Sequence, residues 1–116
     1  MRQSKIGPRL IALALVAVVS AVLAGSALAA APVTVKMSEF KFVLSTKTAH
    51  AGAVVFTVAN KGKLPHDFKI AGKKTALLKP GKTAKLTVTL KAGSYTYICT
   101  VAGHAPAGMK GKFTVK

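Results

Sequence analysis

The stretch YTYICTVAGHAPAGMKGKFTV, residues 95–115, decides how this chain folds. It opens with Tyr95, Tyr97 and Cys99 alternating with Thr96 and Ile98, and it closes with Phe113 and Val115 on either side of Thr114. Successive side chains on a strand face opposite ways, so each end reads as a half-buried strand. Between the two ends, Gly103, Pro106 and Gly108 break every regular period and mark a loop. Working outward, the same period of two recurs in Val33, Val35 and Met37, in Phe40, Phe42 and Leu44, and in Val54, Phe56 and Val58. It returns in His66, Phe68 and Ile70 and in Leu86, Val88 and Leu90. Turn residues stand between these runs at Gly52, Asn60-Lys61-Gly62, Ala71-Gly72, Pro80-Gly81 and Ala92-Gly93. No stretch after residue 31 keeps a helical period. Seven or eight short strands with regular turns predict an all-β chain folded as a Greek-key antiparallel β-sandwich.

Composition narrows the class. A chain of 116 residues makes one domain. Lys plus Arg number 18 against 2 acidic residues, for a formal net charge of +16, yet 51% of the chain is hydrophobic, too much for a disordered polycation. The lysines are neither clustered nor interleaved with aromatics, which argues against a nucleic-acid partner. They suit a solvated surface that keeps strand edges from pairing, and steering toward an acidic protein. The single cysteine excludes an intramolecular disulfide and any zinc site built on several thiolates.

The N-terminus predicts export. Arg2, Lys5 and Arg9 precede an uncharged, mostly apolar run from Leu10 to Ala24, and Ala27-Leu28-Ala29 forms an A-x-A cleavage site. Residues 1–29 are therefore expected to be a signal peptide, forming a signal helix, and 30–116 the mature domain. That domain would be periplasmic or secreted, with no stable membrane insertion after cleavage. Uncut, the longer stretch from Leu10 to Ala31, interrupted only by Ser20, Gly25 and Ser26, is long enough to serve as an anchor. Serine stands at position 26, where a lipoprotein box needs cysteine. A small exported domain without disulfides raises the expectation of a metal.

The chemistry concentrates in Cys99, His104 and Met109, spaced Cys-x4-His-x4-Met, with His66 after Leu64-Pro65 upstream. A lone strand cysteine is by default an inert core thiol. Histidine five residues on and methionine ten residues on change that reading. Imidazole suits Cu(II), thiolate and thioether suit Cu(I), and a trigonal His2Cys site with a long axial methionine is the blue-copper electron-transfer arrangement. A sandwich can fix such a set by holding Cys99 at a strand end and bringing His66 from a neighbouring strand. His50, before Ala51-Gly52, reads as a surface residue, and Met37 as core.

Here the chain resembles the cupredoxin family of small type 1 blue copper proteins. The resemblance spans about residues 33–116 and is sharpest over Asn60–Phe68 and Tyr95–Val115. The four-and-four loop spacing is most similar to the rusticyanin type, and Ala107-Gly108-Met109 is similar to the ending in plastocyanin. The resemblance implies His66, Cys99 and His104 as equatorial copper ligands and Met109 as the axial one. Many members carry asparagine after the first histidine; Asp67 stands there instead, with Thr100 as an expected hydrogen-bond donor. The implied function is that of a monomeric one-electron carrier between redox partner proteins, not an enzyme. The alternative is a copper-binding module for delivery or storage. Leu64, Pro65, Ala105, Pro106 and Ala107 are expected to form an apolar docking patch around His104.

Overall fold

The computed structural model describes residues 29–116. The expected signal peptide therefore lies, apart from Ala29, outside the described residues. Nine strands follow in order: β1 (Ala31–Ser38), β2 (Lys41–Leu44), β3 (Thr48–Ala49), β4 (Gly52–Asn60), β5 (Lys69–Ile70), β6 (Lys73–Lys74), β7 (Thr83–Leu90), β8 (Gly93–Ile98) and β9 (Lys110–Val115). They form one sheet in the order β2-β1-β4-β7 and another in the order β3-β9-β8-β5-β6. Among the described residues no helix is long and apolar enough to cross a membrane.

The inward rows of the alternation meet between the sheets. Val33, Val35, Met37, Val54, Phe56, Val58, Val88 and Leu90 line the core from the first sheet, and Ile70, Tyr97, Phe113 and Val115 from the second. Aromatic edges close the middle: Phe56 packs on Phe68 at 5.1 Å and on Phe113 at 5.4 Å between ring centroids. Such tilted and edge contacts match the ring quadrupoles, so a few phenylalanines hold a core that lacks tryptophan.

The β-sandwich agrees with the sequence reading, but its pairings are not all antiparallel. β1 runs parallel to β4, with Met37 opposite Asn60, and β3 runs parallel to β9. Alternation tells which side of a strand is buried and says nothing of its neighbour's direction. The short strands also raise the count to nine. The predicted strand from His66 shrinks to β5. His66 itself sits in an isolated bridge to Leu78, and the Phe68 N–H goes to the Thr75 hydroxyl instead of to a ladder. Phe40 leaves the inward row, lying in the turn after β1 with 38% of its surface exposed.

Candidate metal centre

Three segments converge at one end of the sandwich. Cys99 follows β8 directly, and its main chain is tied across the loop, its N–H donating to Met109 O at 3.1 Å. Inside the loop, the N–H groups of Ala107 and Met109 both donate to His104 O, at 3.1 and 3.0 Å. Gly103 and Gly108 turn the chain with φ of 82° and 123°, conformations that side chains resist. The result is a folded loop with fixed termini. His66 arrives from the other side, bonded in both directions to Leu78, N–H to O at 3.1 Å and O from N–H at 2.8 Å.

These supports bring His66, Cys99 and His104 together with their donor atoms all within 4.8 Å of one another. His66 Nδ1 lies 3.1 Å from His104 Nδ1, and Cys99 Sγ lies 3.6 Å from His104 Nδ1 and 4.0 Å from His66 Nδ1. An ion with metal–nitrogen bonds of about 2.0 Å and a metal–sulfur bond of about 2.3 Å, in a trigonal plane, would separate its donors by roughly 3.5 to 3.7 Å. The triangle therefore has the size of a three-coordinate metal site, and its two imidazoles and one thiol match copper better than a hard cation. All three side chains are buried, His104 keeping only 8% of its surface exposed. Met109, the fourth residue singled out from the sequence, is fully buried, and its main chain is bonded to those of Cys99 and His104. His50 is exposed and Met37 is core, as expected.

The electrostatics follow from burial and from two carboxylates. Burial pushes the Cys99 thiol above its ordinary value, while the backbone N–H groups of Asp67 and Val101 pull the other way. Asp67 accepts from Thr100 twice, from its N–H at 2.6 Å and from its hydroxyl, which pins the residue after His66 to the residue after Cys99. Glu39 sits in the turn after β1, and His66 donates Nε2–H to its carboxylate at 2.6 Å. That bond, followed by one from the Lys63 N–H, holds the Glu39 carboxyl below its ordinary value.

Three residues stand at the site without having been read as part of it in the sequence. Asn60, wholly buried, donates to Leu64 O and Leu78 O, both at 2.8 Å, and accepts from Gly62 N–H at 2.8 Å. It shapes the loop that carries His66. Phe40 sets its ring edge-on to His104 at 5.0 Å. Glu39 reaches His66. An asparagine at the end of an apolar row is a faint signal for the first; nothing local marks the other two.

A family profile described as a cupredoxin-like domain matches residues 9–115. The chain is 50% identical over 42 residues to auracyanin-B of Chloroflexus aurantiacus, a match covering 35% of this chain and 18% of that relative. Among solved structures, reduced auracyanin from Roseiflexus castenholzii superposes with a TM-score of 0.66 at 20% identity, over 78% of this chain and 99% of its own. Auracyanin B follows at 0.65 and 22%, over 78% and 92%. Auracyanin A of Chloroflexus aurantiacus, described as a "blue" copper protein, gives 0.58 at 24% identity, over 73% and 99%. At these identities the structural likeness speaks for the fold.

Proposed function

The chain belongs to the cupredoxin family, and from that premise we propose that it is an exported type 1 copper protein carrying single electrons between redox partners. The observation that supports this best is the buried triangle of two imidazole nitrogens and one cysteine sulfur at the end of a rigid β-sandwich. In this reading His66 Nδ1, Cys99 Sγ and His104 Nδ1 would hold the ion, with the Met109 thioether as a fourth donor. Bound copper supplies a one-electron couple between Cu(II) and Cu(I). The chain's own part is to keep the donors in one arrangement for both states. The Asp67–Thr100 bonds, the Asn60 cradle and the bridge between His66 and Leu78 all resist rearrangement.

His104 is the route for the electron. No protein hydrogen bond reaches its Nε2 among the described residues, and exposed apolar groups surround its segment. Phe40 and Leu64 are 38% and 43% exposed, and Pro65, Pro106 and Ala107 are exposed beside them. A small apolar patch permits brief docking, and the lysine-rich surface favours an acidic partner. Nothing in this arrangement calls for turnover of a small substrate. In this reading residues 1–29 direct export and are removed, and the carrier works as a monomer in the periplasm or outside the cell.

The test is the visible spectrum of the copper-loaded domain. Wild type should show an intense thiolate-to-copper band and cycle reversibly by one electron without losing metal; Cys99→Ser should lose the band. A colourless wild type, or one that hands its copper rapidly to an acceptor on reduction, would overturn the carrier reading in favour of a delivery or storage module.

A further inference from the structure

We propose that Glu39 is a positioning residue of the copper site, fixing which nitrogen of His66 faces the ion and holding the site toward Cu(II). The proposal rests on the carrier reading above.

The chain has only two acidic residues among 116, and both meet the ligand-bearing segments. The chain carries 18 basic residues, yet among the described residues the only ionic partner of Glu39 is His66. Its position follows from the topology. Because β1 and β4 are parallel, with Met37 opposite Asn60, both strands leave the sheet at the same end. Lys61 N–H then donates to Met37 O at 2.7 Å, and residues 39 and 62–64 are laid side by side. The Glu39 carboxylate accepts from Lys63 N–H at 2.8 and 3.1 Å and from Leu64 N–H at 3.3 Å. Gly62 leaves room for it; a Cβ there would fall on the carboxylate itself. Three hydrogen-bond contacts from two backbone N–H groups thus aim one carboxylate oxygen at His66 Nε2, 2.6 Å away.

The chemical consequence is specific. A ring that gives its Nε2 proton to a carboxylate presents Nδ1 as a free lone pair, and Nδ1 is the atom that faces Cys99 and His104. Such a partner locks the tautomer and ring angle and makes the ligand nitrogen more basic. A full negative charge one imidazole away from the ion favours the more highly charged Cu(II) over Cu(I). Among the described residues no carboxylate reaches His104, so the two imidazoles have separate tasks: His66 sets the balance of oxidation states, and His104 passes the electron.

The decisive variant is Glu39→Gln, which keeps the size and an acceptor oxygen but removes the charge. Cu(II) and Cu(I) affinities, the reduction potential and the visible spectrum would be measured against wild type, with thermal unfolding of the metal-free proteins alongside. We expect Cu(II) affinity to fall by about 10–100-fold, Cu(I) affinity to fall less, and the potential to rise by about 59 mV for each tenfold difference between them. A folded variant with unchanged potential and affinity ratio overturns the proposal. So does one that loses only metal-free stability, since a mere loop tie would do that. If Glu39→Gln does not fold, Glu39→Asp retains the charge with a shorter reach; it should alter the spectrum and weaken Cu(II), and wild-type values for both would overturn the proposal. A wild type without the thiolate band would instead sink the carrier reading, which the variants do not enter.

Discussion

Asn60 makes three hydrogen bonds with a side chain that water does not reach, to Leu64 O, Leu78 O and Gly62 N–H. Leu64 O and Gly62 N–H have no backbone partner among the described residues, Leu78 O is shared with the His66 N–H, and losing the buried amide leaves these groups under-satisfied. Asn60→Ala should therefore destabilise the metal-free domain by about 2–4 kcal/mol, read from denaturant unfolding. It should also loosen the loop that carries His66 and weaken copper binding. Asp67 illustrates the same logic with a charge: its two bonds from Thr100 link the strand end at Cys99 to the loop at His66. Glu39 thus holds His66 directly, and Asp67 holds it as its neighbour in the chain.

Among the elements, the loop between β8 and β9 carries the most demanding geometry. Its turns are closed by 3.0–3.1 Å bonds from Met109 and Ala107 N–H to His104 O and from Gly108 N–H to Ala105 O. Gly108 combines φ of +123° with a close approach, since a Cβ would stand 3.0 Å from Phe40 O. Gly108→Ala thus meets backbone strain and a steric push at once. It should cost about 1–3 kcal/mol of stability and shift Phe40 from the edge of His104. A thermal melt together with the aromatic proton spectrum of the metal-free protein would register both effects. The parallel pairing of β1 with β4 is the second decisive element, because it delivers the turn at Glu39 to the loop at residues 62–64.

For the whole molecule, the donors gathered from three segments exist as a site only when the sandwich is folded. Copper should then stabilise the native state by mass action, by about 2.7 kcal/mol at a free concentration a hundred times its Kd, or roughly 10–20 °C in Tm. Differential scanning with and without copper would show this rise in wild type and its near absence in Cys99→Ser. The full chain's net charge of +16, less the three positive charges at Arg2, Lys5 and Arg9 that would leave with residues 1–29, acts at longer range. Electron exchange with an acidic protein should slow steeply as ionic strength rises from 0.01 to 0.15 M, because the screening length falls from about 30 Å to about 8 Å. Stopped-flow rates against an acidic and a neutral redox protein would separate steering from docking, and only the acidic one should respond.

The period of two in Val33, Val54, Phe56, Tyr97 and Phe113 was enough to identify a sandwich and its core, because burial of one strand face is a local property of the chain. The spacing of Cys99, His104 and Met109 was legible for a similar reason: they share one short loop, and their side-chain chemistry points to one kind of ion. Phe40 broke its row because a turn, not a strand, received it. The parallel direction of β1 beside β4 was beyond reach, since alternation is the same for a strand run either way. From that direction follow the contact of Glu39 with His66, the cradle for its carboxylate over Gly62, and the task these give to one of the chain's two acids. Sequence alone determined the core faces and the donor types; tertiary structure decided which charge stands behind which ligand, because pairing direction is settled by the packing of the whole sheet and leaves no mark on either strand.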